Sequence, residues 1–289
     1  MMLSIRNGID ARNYWRSVLK SQQEHALPVK ADELSAYLMS VRSDSADIVK
    51  RIASDGVAVV EDYWSAEQCA KALTEMDKVI ETYPDCVRQF SGGADRRMFG
   101  VEMVSETARL FHEDKYLRSM GEFIGGRGLY NFATLGARID ATDTNRGSGD
   151  GWHRDAFGFQ FKAIIYLCDV TPENGPFEYI PRSHKEWRVV MDSALGRLPA
   201  PPESRIDDAR VQKMITSGAA SSKTFMGKAG TLVLANTTGV HRGTPLLRGR
   251  RYALTNYYYH HFQIGDTMLQ KFAPMMPGTA ERIADMIAG

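Results

Sequence analysis

Within residues 151–159, GWHRDAFGF, an imidazole and a carboxylate stand two positions apart, at His153 and Asp155. On an extended chain, positions i and i+2 share a face, so both side chains can enter one cavity while Arg154 points away. Two ligands alone make a weak metal site. A third candidate is His241, which follows the apolar run GTLVLANTTGV and begins HRGTPLLRGRRYALTNYY. Two imidazoles and one carboxylate on one face of an octahedron hold Fe(II) and leave three positions open. Those positions suit a bidentate co-substrate and dioxygen. A structural zinc is instead closed by four ligands, typically including thiolates. None of the three cysteines, Cys69, Cys86 and Cys168, lies near either half of the pattern.

A 2-oxo acid co-substrate also needs a cation for its distal carboxylate. Arginine is planar and permanently charged, and it pairs with a carboxylate bidentately. Arg251 comes ten residues after His241 and opens the run RYALTNYYY. Alternation puts Arg251, Ala253, Thr255 and Tyr257 on one face, so Arg251 and Thr255 can clamp the same carboxylate. Two neighbours compete. Arg250 falls on the opposite face if the strand extends that far, and Arg248 sits in the preceding turn. Arg251 is preferred.

These residues must be positioned by regular elements. The first 85 residues read helical. In SAEQCAKALTEMDKVIETYP, Ser65 and Gln68 have capping-box spacing, and Cys69, Leu73, Met76 and Ile80 follow at helical intervals. SADIVKRIASDG closes on Gly56, a C-terminal cap, and VAVV is a short strand. From about residue 128 the texture changes to strands: LYNFATLGARI, FQFKAIIYLCDV, FEYI, GTLVLAN and RYALTNYYYHHF. The final GTAERIADMIAG reads as one amphipathic helix. Helices first and short strands afterwards imply an antiparallel β core of jelly-roll type with helices packed on one side. The stretch 185–228 is too long for an ordinary connection and reads as a lid or as a solvated insertion. It carries eight Lys or Arg against five acids.

The totals add limits. The chain has 289 residues with 43% hydrophobic, enough for a large core. With 36 basic and 35 acidic side chains, bulk charge does not point to nucleic acid. Three cysteines without CxxC spacing fit a reducing, cytoplasmic setting, and neither a signal core nor a membrane-spanning run is visible. No heptad or apolar stripe marks an interface, so the oligomeric state stays open.

Taken together, HxD ahead of a strand, His241 about 90 residues on, and Arg251 ten further resemble the phytanoyl-CoA dioxygenase family of Fe(II)- and 2-oxoglutarate-dependent dioxygenases. GVAVVEDYWSAEQCAKAL looks like that family's opening strand and helix, and YLCDVTPENGPFEYIPRSHK like its mid-core segment. The similarity spans roughly residues 50 to 262. It implies a double-stranded β-helix (jelly roll, cupin-like) domain over 46–289, preceded by a helical extension over 1–45 and carrying the lid at about 185–228. It also implies that His153, Asp155 and His241 bind iron and that 2-oxoglutarate chelates the iron and pairs with Arg251. Oxidative decarboxylation then yields succinate and carbon dioxide, and the oxidant attacks a substrate C–H bond. Halogenating relatives lack the carboxylate, so Asp155 favours hydroxylation. Desaturation or ring formation at the same centre, a non-catalytic jelly-roll binding protein, and a cupin-like isomerase or epimerase are the competing readings.

Three positions depart from the family pattern. Arg154 stands where Gln is common, Pro181-Arg182-Ser183-His184 replaces P-G-S-H, and Gly243 replaces a serine that helps hold 2-oxoglutarate. Thr244 or Thr255 is left to supply that hydroxyl, and strand parity favours Thr255. None of these changes removes a metal ligand. His184 is structural by the resemblance. His260 and His261 read as one packed and one exposed histidine, and His25 and His112 carry no signal. Tyr257 and Tyr259 face the cavity or fill the core, and Trp152 packs over the metal site or fills space. The cluster Arg242, Arg248, Arg250 and Arg251 attracts an anion or lies in a solvated turn. The substrate is a small molecule, and the basic excess of the lid hints at an anionic group on it.

Overall fold

A computed structural model describes residues 2–25 and 30–288. The side chain of His25 lies outside the described residues. In chain order the strands are β1 (Val57–Val60), β2 (Arg88–Phe90), β3 (Asp95–Phe99), β4 (Leu129–Asp140), β5 (Phe161–Tyr166), β6 (Phe177–Tyr179), β7 (Lys223–Phe225), β8 (Leu232–Asn236), β9 (His241–Gly243) and β10 (Arg250–His260). They form two antiparallel sheets, one ordered β1-β8-β5-β10-β4-β3-β2 and one ordered β7-β6-β9. His153 bridges to His241 and adds a fourth short row to the small sheet.

Side-chain parity in the large sheet separates the core from the cavity. In β10, Tyr252, Leu254 and Tyr258 join Ala163, Ile165, Leu232 and Leu234 on the outer face. There they pack against Leu38, Ile52, Cys69, Met76, Phe111 and Leu117 of the preceding helices. Arg251, Ala253, Thr255, Tyr257 and Tyr259 point the other way, into a cavity shared with the small sheet. Because β10 is paired on both edges and covered on both faces, only its first residue is exposed. That is why its sequence shows no polar alternation.

Several local signals form as the residues dictate. Ser65 caps the helix Ala66–Thr82 in a reciprocal box, with Gln68 N–H donating to Ser65 Oγ at 3.2 Å and Ser65 N–H to Gln68 Oε1 at 2.9 Å. Gly56 ends the helix Ser45–Asp55 at φ 91°, a conformation other residues resist. The helix Thr279–Ala288 lies within the final amphipathic run. Four strands escaped the periodicity, β2, β3, β7 and β9, because strands of three to five residues rich in charged side chains carry no apolar rhythm. The helix Asp266–Phe272 was also unforeseen.

The N-terminal residues do not stand apart from the rest. Leu38, in the helix Ala31–Val41, belongs to the main core. Trp15, in the helix Met2–His25, packs with Phe157 and with Val189 of the helix Glu186–Ala194. The expected lid of 185–228 contains that helix and a second, Asp208–Thr216. It ends sooner than expected, because Lys223–Phe225 is already an edge strand of the small sheet. No helix among the described residues is long and apolar enough to cross a membrane.

Two histidines outside the cavity tie stability to pH. Burial, reinforced by Arg282, holds His112 down to about 3, and burial holds His184 down to about 4. His112 Nδ1 sits 3.0 Å from Thr134 Oγ1 and from Asn131 Nδ2. Both imidazoles are neutral when folded, whereas an unfolded chain takes up protons near pH 6.5. Their stabilisation is therefore complete above that pH and declines as pH falls toward 3–4, by up to about 1.4 kcal/mol per histidine per unit. The urea midpoint of the metal-free protein is expected to drop between pH 7 and pH 5. A midpoint level across that range would contradict buried neutral imidazoles.

Candidate metal centre

His153 and Asp155 do not lie on a continuous strand, yet the expected parity holds. The chain is pinned by His153 N–H to His241 O (3.0 Å), His241 N–H to His153 O (3.0 Å) and Asp155 N–H to Thr237 O (3.0 Å). Arg154 turns away from the pair, though not to solvent. It is 4% exposed and donates to the carbonyls of Ser183 (2.7 Å) and Thr238. A glutamine there could not supply the same buried charge-assisted bonds, so Arg154 staples the site to the turn at 181–184.

The three ligand atoms lie within 4.8 Å of one another, and among the described residues no other such trio occurs. His241 Nε2 is 3.2 Å from Asp155 Oδ2, and His153 Nε2 is 3.8 Å from Asp155 Oδ1. Metal–nitrogen bonds of about 2.1 Å at right angles put neighbouring ligand atoms about 3 Å apart, so modest adjustment suffices. Each imidazole is oriented by its other nitrogen. His153 Nδ1 faces Gly151 O at 2.9 Å and His241 Nδ1 faces Gly239 O at 2.8 Å, which leaves both Nε2 lone pairs aimed inward. Burial, with His241 beside it, pushes His153 down to about 3, so the ring is neutral and able to ligate. Burial opposes ionisation of Asp155, but Lys162 and His241 outweigh it and the carboxyl stays well below its usual range. The donor set fits a divalent metal.

Glycine makes the close packing feasible. Gly149 sits at φ 91°, and a Cβ there would run into the His153 ring, whose Nδ1 would lie 2.9 Å away. Gly149→Ala is therefore expected to displace the ring and to weaken iron binding by about tenfold or more, the scale of losing an orienting partner. An anaerobic iron titration reads this directly. Wild-type affinity in the variant would show that the loop yields instead.

The cavity has a volume of about 360 Å³ and contains His153, Asp155, His241, Arg251 and Thr255 in its wall. Arg251 is 6% exposed, and burial pushes its pKa down, offset only in part by Tyr166 and Asp95. No acid pairs with it among the described residues. The other arginines of its cluster are neutralised elsewhere: Arg242 by Glu178 (2.8 Å), Arg250 by Asp140 (2.5 Å) and Arg248 by Glu173 (3.7 Å). Thr255 is buried in the wall, while Thr244 commits its hydroxyl to Pro176 O at 3.2 Å. Gly243 also lines the cavity, where a Cβ would sit 2.8 Å from that of Ser148.

The remaining candidates sort by contact. Tyr257 and Tyr259 line the cavity as well as packing with Phe272 and Phe132. Trp152 fills space beneath the lid with Ile180, Leu198 and Ile206, its ring under the Arg242 guanidinium at 4.5 Å. His184 Nε2 faces Ala53 O at 3.4 Å, His260 is buried against Gly125 O at 3.0 Å, and His261 is exposed. Of the lid's basic residues only Arg205 reaches the cavity wall, through a bond to Gly149 O. Arg188, Lys223 and Lys228 pair with Asp192, Asp55 and Asp169. All the lid's basic residues but Arg205 thus lie away from the cavity wall, and the lid's net excess does not mark the site.

Sequence reasoning missed Lys162. This lysine is 6% exposed, places Nζ 2.7 Å from Asp155 Oδ2 and lies 4.1 Å from the centre of the Tyr257 ring. Its signal was available: a cation inside the apolar run FKAIIY, on a strand that a central position would bury, demands a counter-charge. Tyr166 was missed too, since its alternation looks like ordinary core. Its hydroxyl donates to Phe225 O at 2.8 Å at the Arg251 end of the cavity.

The family model described as phytanoyl-CoA dioxygenase (PhyH) matches residues 52–247. Ectoine dioxygenase of Stutzerimonas stutzeri (strain A1501) is 23% identical over 158 residues, and the chain spans about half the length of that relative (51%). Those residues are 50% of this chain. Among solved structures, EctD from S. alaskensis with bound Fe superposes with a TM-score of 0.60 at 16% identity, covering 76% of this chain and 78% of that one. The epimerase SnoN in complex with Fe3+, alpha ketoglutarate and nogalamycin RO gives a TM-score of 0.59 at 17% identity, covering 76% and 84%. These likenesses show a shared fold, and the family model covers well over half of the sequence: the chain belongs to the phytanoyl-CoA dioxygenase family.

Proposed function

We propose that this protein is an Fe(II)- and 2-oxoglutarate-dependent dioxygenase that hydroxylates a C–H bond of a small molecule and releases succinate and carbon dioxide. In this reading His153, Asp155 and His241 hold the iron, Arg251 pairs with the distal carboxylate of 2-oxoglutarate, and Thr255 donates to it. The observation that carries the reading is the coexistence, in one cavity, of a three-ligand cluster and a buried guanidinium without an acid partner. An unpaired buried charge is costly, so it persists where a ligand supplies the missing anion. A binding module would need neither feature. Iron with 2-oxoglutarate supplies the activation of dioxygen.

The chain's own share is orientation and exclusion. The Gly151 and Gly239 carbonyls fix the ring tautomers, Lys162 holds Asp155 ionised, and the aromatic wall of Tyr257, Tyr259 and Phe272 keeps water from the reacting centre. Anaerobic addition of iron and 2-oxoglutarate is expected to produce a weak visible charge-transfer band. Admission of dioxygen should then yield succinate. A protein that binds iron and gives neither would sink the assignment. Labelled dioxygen separates outcomes at the same centre: hydroxylation places one labelled oxygen in the product, desaturation or ring closure none. Partners proposed on this basis are dioxygen and a small-molecule substrate, in a cytoplasmic setting.

A further inference from the structure

The cavity wall is far more cationic than one 2-oxoglutarate requires. Arg88, Arg97, Lys162, Arg205, Arg251 and Lys271 all line it, with Arg154 behind, and Asp155 is its one acid among the described residues. Lys162 is answered by Asp155 and Arg97 by Asp95, whose Oδ2 lies 2.6 Å from Arg97 Nη2. Arg251 is taken by the co-substrate in the proposed function. Arg205 has no carboxylate partner either but donates to Gly149 O, which leaves Arg88 and Lys271, likewise without a carboxylate among the described residues.

These two are built into one corner. Arg88 and Arg97 are direct cross-strand partners on β2 and β3, so their side chains rise from the same face. Both guanidiniums lie over the Phe90 ring, at 5.3 and 4.7 Å from its centre, and Arg88 also lies 5.7 Å from that of Phe99. Arg88 Nη1 donates to Lys271 O at 2.9 Å, which ties β2 to the helix Asp266–Phe272 and brings the lysine to the rim. Arg97 uses Nε and Nη2 on Asp95, leaving Nη1 uncommitted. Burial and the neighbouring Arg97 both depress the Arg88 pKa, the sign of a cation held beside another with no acid of its own.

We infer that Arg88, Lys271 and the free edge of Arg97 form a second anion subsite that holds a carboxylate or phosphate group of the substrate, while Phe90, Phe99 and Phe272 receive its apolar body. This rests on the proposed function and names its substrate class: a small amphipathic anion. At about 360 Å³ the cavity is near the lower end of ligand pockets, and the co-substrate takes part of it, so the reacting portion is small. The subsite lies on two strands and a helix that periodicity did not reveal, which moves the anion site away from the lid.

The test uses full-length protein loaded anaerobically with iron and saturating 2-oxoglutarate, titrated calorimetrically with butyrate, butyl phosphate and butyramide. Both anions are expected to bind and the amide not. Arg88→Gln with Lys271→Gln should weaken anion binding about tenfold or more, while the 2-oxoglutarate band and its midpoint stay within about twofold. Arg88→Lys should retain most of the anion affinity and reports on folding. Preference for butyl phosphate or for butyrate identifies the head group. Equal binding of anions and amide, or anion binding lost in Arg251→Ala but kept in the double glutamine variant, would overturn the subsite. Absence of the visible band in wild-type protein would instead overturn the proposed function, and the anion titration is then read on metal-free protein, where the same variants must still weaken it.

Discussion

His153→Ala is expected to abolish succinate formation from 2-oxoglutarate and to lower iron affinity by more than about 100-fold. Loss of a mere orienting partner costs about 10–100-fold, and loss of a ligand costs more. The two donors left would be His241 and Asp155, and Asp155 has an alternative cation at hand in Lys162, 2.7 Å away. With one imidazole gone, the carboxylate is drawn toward the lysine and the remaining pair no longer defines a face. The ring is buried and its Nδ1 meets only a backbone carbonyl, so its removal costs packing without stranding a charge. Circular dichroism should therefore report a folded variant. Turnover retained by that variant would remove His153 from the ligand set.

Arg251→Ala separates co-substrate from metal. The half-saturating concentration of 2-oxoglutarate is expected to rise by about 100-fold, the equivalent of about 3 kcal/mol for a buried bidentate charge-assisted pair. Iron affinity measured without 2-oxoglutarate should change by no more than about twofold, because the guanidinium touches none of the three ligands. The melting temperature of the metal-free variant is expected to hold or rise, since a buried cation without an acid partner has been removed. Arg251→Lys should recover part of the loss, a point charge replacing a planar fork. Equal loss of iron and 2-oxoglutarate binding would count against the assigned role.

What could be read from the residues in order was local or nearly so. The period-two alternation of 251–257 placed Arg251 and Thr255 on one face, because a strand has no other way to arrange its side chains. The HxD spacing carried the same information into a segment that is not a continuous strand, since extended backbone suffices. Ser65 with Gln68, and Gly56 after a helix, are satisfied by bonds within three or four residues. The jelly-roll class followed from the number and order of short strands.

What the tertiary structure decided was which charges are answered and by whom. Arg242, Arg248 and Arg250 look equivalent to Arg251 in sequence, yet each meets an acid at a distance only folding sets, and Arg251 alone among the four is left for a ligand. Of the lid's basic residues only Arg205 reaches the cavity, whereas Arg88 and Lys271, 183 residues apart, come together at the rim. Trp152 turns into the packing beneath the lid because Arg242 covers its other face. Periodicity reports which side of an element a residue occupies. Charge compensation depends on partners brought from remote chain positions, and no spacing rule encodes those.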